Sequence, residues 1–573
     1  MGHLFLYLAV LAACLLWSAA FTAVAARSRP GWIRWLLIAV AMLAPVLAVA
    51  PWVGLTAILA FGMRLETNWF APTLTAAIAA LIGSVWIARV GLAPRSAPAA
   101  ATWPLVGLAA MFVLAKAVAA GTLLFIDNAV AAEGRMLKAE AARIISTALP
   151  PAPSADDNAA PLYQRAFASL TADTEFDESE LPFKDPLTAD VESGEVAAIL
   201  ERHAVTLDLL RRATDKPGCR FERDWSRPSI DMLLPEVQQL RQAARLLALA
   251  ARQTAADGDG EQALTDVVRI HRLGMHAAAE PILVSGLAGQ AIDAVALGTL
   301  AAVLPRLEKS DLPLLEQDSL RDFVATPITY GRAFLGEEAF GLATLGDMAD
   351  GKRGTASLAL LRALPDESTE YAFDGPFSLL YRCFMLPSDI VGYRDIMRRY
   401  QDIAGTMLLP KPKRYPVVVK EMAEIEAQLE SRQAGVFAEV LSPALSFVLK
   451  SQAKSRALHD VAGVLVAATR ARLAGTSLAE SLVPEAVPAL PGDPFTTDQP
   501  LLTKRTLDGW VVYSVGPDGE DDGGPPAASA DRTDGNDDEG LRLVGKGTVP
   551  SAEIKAPGAS PGTPRPDATP PLF

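Results

Sequence analysis

Four apolar runs crowd into the first 127 residues: Leu4 to Ala26, Trp35 to Ala60, Leu74 to Ala88 and Leu105 to Ile126. A helix needs roughly 20 apolar residues to cross a hydrocarbon core of about 30 Å. The first, second and fourth runs reach that length. The third is shorter, but Val90 to Leu92 extends it while Arg89 snorkels towards the interface. Trp32, Trp35, Trp52, Trp69, Trp86 and Trp103 fall near the predicted ends, as an aromatic belt requires. A cleaved signal peptide is the competing reading of the first run. That run lacks a basic leading region and three further spans follow it, so residues 1–127 are predicted to form four transmembrane helices.

Loop charge gives the orientation. Arg27, Arg29 and Arg34 mark the first loop, and Arg89 and Arg95 the third, whereas Arg64 in the second is balanced by Glu66. Positive charge stays on the cytoplasmic side, which places both termini, and everything after Asp127, outside the cytoplasm of a multi-pass cell (inner) membrane protein. Lys116 lies midway along the fourth run; it marks either a polar pathway or a lysine buried among the four helices or reaching an interface. The spans hold no acidic partner for it, which weakens a transporter reading. Pro45 and Pro51 predict a kink in the second helix.

Composition narrows the partners. The chain has 573 residues and a net charge of −14, yet up to Asp127 it carries seven basic and two acidic side chains, so the remainder is strongly acidic. Such a surface excludes nucleic acid, which needs clustered Lys and Arg; the bilayer and protein partners are expected instead. Three cysteines exclude a disulfide-dense scaffold and a multi-cysteine zinc module. Cys14 belongs to an apolar run. Cys219 and Cys383 form a disulfide in an oxidising compartment or remain two buried thiols.

Residues 128–475 read as an α-helical extracytoplasmic domain. Leu233, Val237, Leu240, Ala244, Leu247 and Ala251 recur at helical spacing, with Glu236, Gln238, Arg241, Gln242 and Arg245 opposite. Asp257-Gly-Asp-Gly260 interrupts the pattern and Glu261 to Ala279 resumes it, predicting an αα-hairpin that resembles one tetratricopeptide-like unit. The interruption does not match an EF-hand loop, because its sixth position is Gln262. Pro281 to Leu304 is apolar enough for a fifth span, but Gln290 and Asp293 near its centre favour a buried core helix. The chain holds no HExxH, GxSxG, P-loop or helix-opening GxGxxG motif. His271 and His276, five apart, do not share a helical face, and the pair Glu337-Glu338 reads as a solvated face or local salt bridge. No catalytic residue is assigned.

The densest local code lies near the C-terminus. A helix to Leu473 leads through Leu482-Val-Pro484 to Leu490-Pro-Gly-Asp-Pro-Phe495, then to strands Leu501 to Thr506 and Trp510 to Val515 around an Asp508-Gly509 turn. Tyr513-Ser-Val-Gly-Pro-Asp-Gly519 follows, and Glu520, Asp521 and Asp522 close the segment. This order resembles the C-terminal region of type II secretion major pseudopilins. It is still more similar to a group of large planctomycete-type membrane proteins, in which the likeness extends weakly back to about Asn158. The chain departs from pseudopilins in having four spans, no Phe-Thr-Leu-x-Glu processing motif, and Asp-Pro-Phe-Thr in place of Asp-Pro-Trp-Gly. The resemblance implies a small β-hairpin module over residues 476–524 and a calcium loop with Asp518 as ligand. Asp521, Asp522, Asp537 and Asp538 join it by proximity and composition, against the alternative of a solvated acidic turn. Residues 525–573, rich in Pro, Ala, Gly and Asp, are expected to be disordered, with Leu541 to Val544 as the segment that docks.

The expected fold is therefore mainly α: a four-helix transmembrane region, an α-helical extracytoplasmic domain and a small C-terminal β-hairpin module. The leading functional expectation is a non-catalytic scaffold or interaction domain in envelope or secretion-related assembly. A membrane-bound enzyme with its active site in the helical domain is the alternative. The two are distinguished by an open groove against a closed pocket with convergent His, Glu or Arg.

Overall fold

The computed structural model describes residues 31–33, 36, 128–171, 186–192, 194–226, 228, 232, 234–350, 386–407, 412–431, 433–435, 438, 445–476, 489–506, 509–525 and 537–544. Of the four expected spans only Leu36, which is helical, lies in this set; residues 31–33, also helical, belong to the expected first loop, and Lys116 and Cys383 lie outside the set. Over the described residues the chain is mostly helical, with one small three-stranded antiparallel sheet.

Helix α1 spans residues 128–148, which follow the fourth apolar run in the sequence. Its inner face, Val130, Leu137, Ala141, Ile144 and Ile145, packs into a core shared with α9 (Gly331–Ala349). The two helices approach at glycines: a Cβ on Gly134 would lie 2.7 Å from the Gly346 carbonyl oxygen. Lys138 seals the contact, its Nζ 2.8 Å from Asp350 and 3.2 Å from Asp347. The helix that leaves the expected membrane region is thus built into the domain.

A first layer follows from α2 (Ala160–Thr171), α3 (Gly194–Arg202) and α4 (Ala204–Thr214) to the predicted hairpin, α5 (Glu236–Ala256) and α6 (Gly260–Ala277). The hairpin turns where expected. Gly258 takes a φ of +89°, open to glycine at little cost, and the Asp259 side chain caps α6 by accepting from the Gln262 N–H.

Helix α7 (Leu283–Val303) is the segment apolar enough to be confused with a membrane span. Leu283–Arg306 is long and apolar enough to cross a membrane, yet most of it is buried against other helices. Its small residues explain the fit: a Cβ on Gly289 would meet the Gly274 carbonyl of α6 at 2.7 Å, so the two backbones touch. After two 3-10 turns, Leu304–Arg306 and Lys309–Glu316, come α8 (Asp318–Ala325), α9, α10 (Leu386–Met407) and α11 (Tyr415–Glu430).

The 29-residue helix α12 (Leu445–Leu473) spans about 44 Å and ties the domain together. Leu445, Val448 and Leu449 enter the α1/α9 core, Ala453 and Ala457 meet Phe495 and Val515, and Val461 to Leu473 join the α5–α7 core. The sheet lies on this helix. Strands β1 (Leu502–Arg505) and β2 (Gly509–Ser514) pair as predicted, with Arg505 opposite Trp510. A third strand, β3 (Glu539–Val544), pairs with β2, Ser514 opposite Glu539. It falls inside the segment expected to be disordered, at the four residues expected to dock and two before them. Alternation along β2 explains the burial of consecutive residues: Val512 faces the helical core, while Val511 and Tyr513 point outwards beneath Gly524.

Candidate functional site

The two motifs that carry the pseudopilin resemblance are locked together by one side chain. Asp493, fully buried, accepts hydrogen bonds at Oδ1 from the Phe495 N–H (2.9 Å) and the Ser514 hydroxyl (2.8 Å). Its Oδ2 accepts from the Val515 N–H at 3.0 Å. The Asp-Pro-Phe turn and the Tyr-Ser-Val-Gly turn are therefore halves of one structure. In the sequence Asp493 is one residue of the Leu490–Phe495 motif, and nothing local marks its role as the link.

Beyond that lock the carboxylates brace the turn. Asp518 Oδ1 accepts from the Glu520 N–H at 3.1 Å, and Asp521 Oδ1 from the Tyr513 hydroxyl and the Gly523 N–H, both at 2.9 Å. Asp522 Oδ2 accepts from the Asp537 N–H at 3.3 Å, and Asp538 Oδ2 from the Gly524 N–H at 2.7 Å. Burial, with the charges of Asp522 and Asp521, raises Asp538 to about 6. Asp537 and Glu539 face Lys450 and Lys454 of α12 at 3.9 and 2.6 Å, which fastens the sheet to the helix. Asp518 and Asp538 serve different turns. Among the described residues no group of three or more His, Cys, Asp or Glu side chains is arranged to hold a metal ion.

A second polar cluster lies deep in the helical domain. Asp293 of α7 sits between two histidines: His271 Nδ1 of α6 is 2.7 Å from Oδ1, and His459 Nε2 of α12 is 2.7 Å from Oδ2. All three side chains are buried. Burial alone would raise the Asp293 pKa; the hydrogen bonds from His271 and His459 overcome this and hold it below the ordinary carboxylate value. One turn away, Gln290 accepts from the hydroxyls of Tyr330 (2.6 Å) and Ser451 (2.7 Å) and donates to the Ile328 carbonyl (2.9 Å). The polar residues that argued against a membrane span thus pin the core helix to its neighbours. His276 belongs elsewhere, its Nδ1 2.9 Å from the Tyr163 hydroxyl and its Nε2 3.1 Å from the Lys216 carbonyl.

Glu337 and Glu338 differ from their expected role. Glu337 caps the start of α7, accepting from the Leu283 N–H at 3.2 Å, and burial raises its pKa; Glu338 accepts from Gln401 at 2.8 Å. The acidic pair is part of a helix junction because α9 lies across the end of α7.

On the outside, an open groove of about 670 Å³ runs along the extended segment after α4, lined by Pro153, Arg220, Phe221, Glu222, Asp224 and Trp225 among others. Arg223 on its floor turns inwards to Glu236 and, at 2.9 Å, to Glu280, so its charge is spent inside the domain. Burial raises Glu280 in spite of that partner. Cys219 lies beside these groups, and burial pushes its thiol well above the usual range. No signal in the sequence marked this groove, because its residues form an irregular stretch between helices. No protein family, curated protein or solved structure matches this chain.

Proposed function

We propose that this chain is a multi-pass protein of the cell membrane whose helical domain, outside the cytoplasm, acts as a non-catalytic scaffold in envelope or secretion-related assembly. The observation that carries the reading is the groove. It is open, it mixes exposed Glu222 and Asp224 with Phe221 and Trp225, and its arginine at 223 is already paired with buried glutamates. Such a surface suits an extended protein segment better than a small reacting molecule, which binding sites usually enclose. The acidic rim selects a partner carrying Lys or Arg.

Co-purification of the full chain from detergent-solubilised membranes tests this. Wild type is expected to retain specific envelope proteins, and a Glu222→Arg/Asp224→Arg variant to lose them at unchanged melting temperature. Identical recovery with both chains, or no recovered protein at all, contradicts the proposal.

Calcium at the acidic turn is the part of the proposal that rests on the pseudopilin resemblance. Among the described residues the turn holds no ready cage, and what supports calcium is Asp538, raised to about 6 by burial and, after it, by the charges of Asp522 and Asp521. Added calcium is expected to raise the melting temperature of the full chain, and Asp521→Asn/Asp522→Asn to remove that response. An unresponsive wild type removes calcium from the account. A Cys219–Cys383 disulfide suits the same compartment, and a two-dalton mass gain on reduction would report it.

A further inference from the structure

His459 has an acceptor on each side of its ring. Its Nε2 lies 2.7 Å from Asp293 Oδ2, and its Nδ1 lies 3.1 Å from the backbone carbonyl oxygen of Val324 in α8. Neither a carbonyl nor the ionised carboxylate can donate, so a neutral imidazole, with one N–H, satisfies only one of them and sets two lone pairs against each other at the other. The second ring at this carboxylate has no such requirement: His271 needs a single proton, on Nδ1, to donate to Asp293. His276 shows the neutral arrangement by contrast, donating from Nε2 to a carbonyl while Nδ1 accepts from the Tyr163 hydroxyl.

We propose that His459 is held as a cation inside the core, and that its proton latches α12, with the sheet module on it, to the helical domain. One imidazolium and one carboxylate then balance inside a solvent-excluded site. The groups facing His459 are Asp293 from α7, His271 from α6 and, from α8, the uncharged Phe323 ring with the Val324 carbonyl. On α12 itself the neighbours are Asp460 and Arg456, paired with each other at 3.0 Å. A fully buried histidine with both nitrogens at acceptors loses more than a hydrogen bond when deprotonated: the Asp293 charge is left without its counter-ion. Because α12 also carries Lys454 to Glu539 and the apolar contacts of β2 and β3, loosening this junction frees the C-terminal module.

The test uses the full chain in detergent with histidine-selective ¹⁵N labelling, which gives at most five ring systems. At neutral pH one buried ring is expected to carry protons on both nitrogens, and that signal to vanish in His459→Gln. If His459→Gln does not fold, the wild-type spectrum decides alone. A spectrum with no doubly protonated buried ring overturns the proposal.

Discussion

At His276 the neutral ring accepts from Tyr163 and donates to the Lys216 carbonyl, and burial lowers its pKa from 6.5 to about 4. The unfolded chain therefore takes up a proton first as pH falls. The associated stability is present above about pH 6.5 and is lost on descending towards 4, in total on the order of 3 kcal/mol. Denaturant melts across that window are expected to show the loss in wild type and a shallower slope in His276→Gln. Asp493 is the second residue on which much depends. Asp493→Ala strands two backbone N–H groups and the Ser514 hydroxyl, each buried, at about 1–3 kcal/mol for each unsatisfied group. Limited proteolysis is expected to cut between α12 and the sheet in this variant while the helical core survives. Equal resistance in both chains would show that Asp493 does not hold the module.

Among the elements, α7 depends most on close approach. Gly289→Val places a methyl-bearing carbon where Gly274 O and Ala278 already stand 2.7 Å from the ideal Cβ, and is expected to cost about 3 kcal/mol or more, read as a lower midpoint in denaturant. An unchanged midpoint would mean that α6 and α7 are not packed backbone to backbone. Much of this level was legible in the sequence. The period along Glu236–Ala256, the break at Asp257–Gly260 and the polar pair Gln290 and Asp293 each point to an element through neighbours in the chain. What stayed hidden depends on distance in sequence. His271 and His459 meet Asp293 across 22 and 166 residues, which no local pattern encodes. Strand β3 has only Leu541, Leu543 and Val544 as large apolar residues, too few to order a strand alone, and it forms because β2 offers it a partner edge. Glu337 looked like a solvated acid because its role depends on where the end of α7 falls.

At the scale of the whole molecule, α7 and α12 run through the cores of the domain, and α1, which follows the fourth apolar run in the sequence, is packed into one of them. In the proposed topology α7 is a core helix of the domain and not a span, so that the segments before and after it lie on the same side of the membrane. Its Asp293, held ionised between His271 and His459, makes bilayer insertion costly, whereas within the domain the charge is fully hydrogen-bonded. Reporters placed at the Ser154–Asp157 turn, ahead of α7, and after Phe573 measure this directly. Both are predicted to report outside the cytoplasm; reporters on opposite sides would make α7 a span and contradict the fold described for this protein.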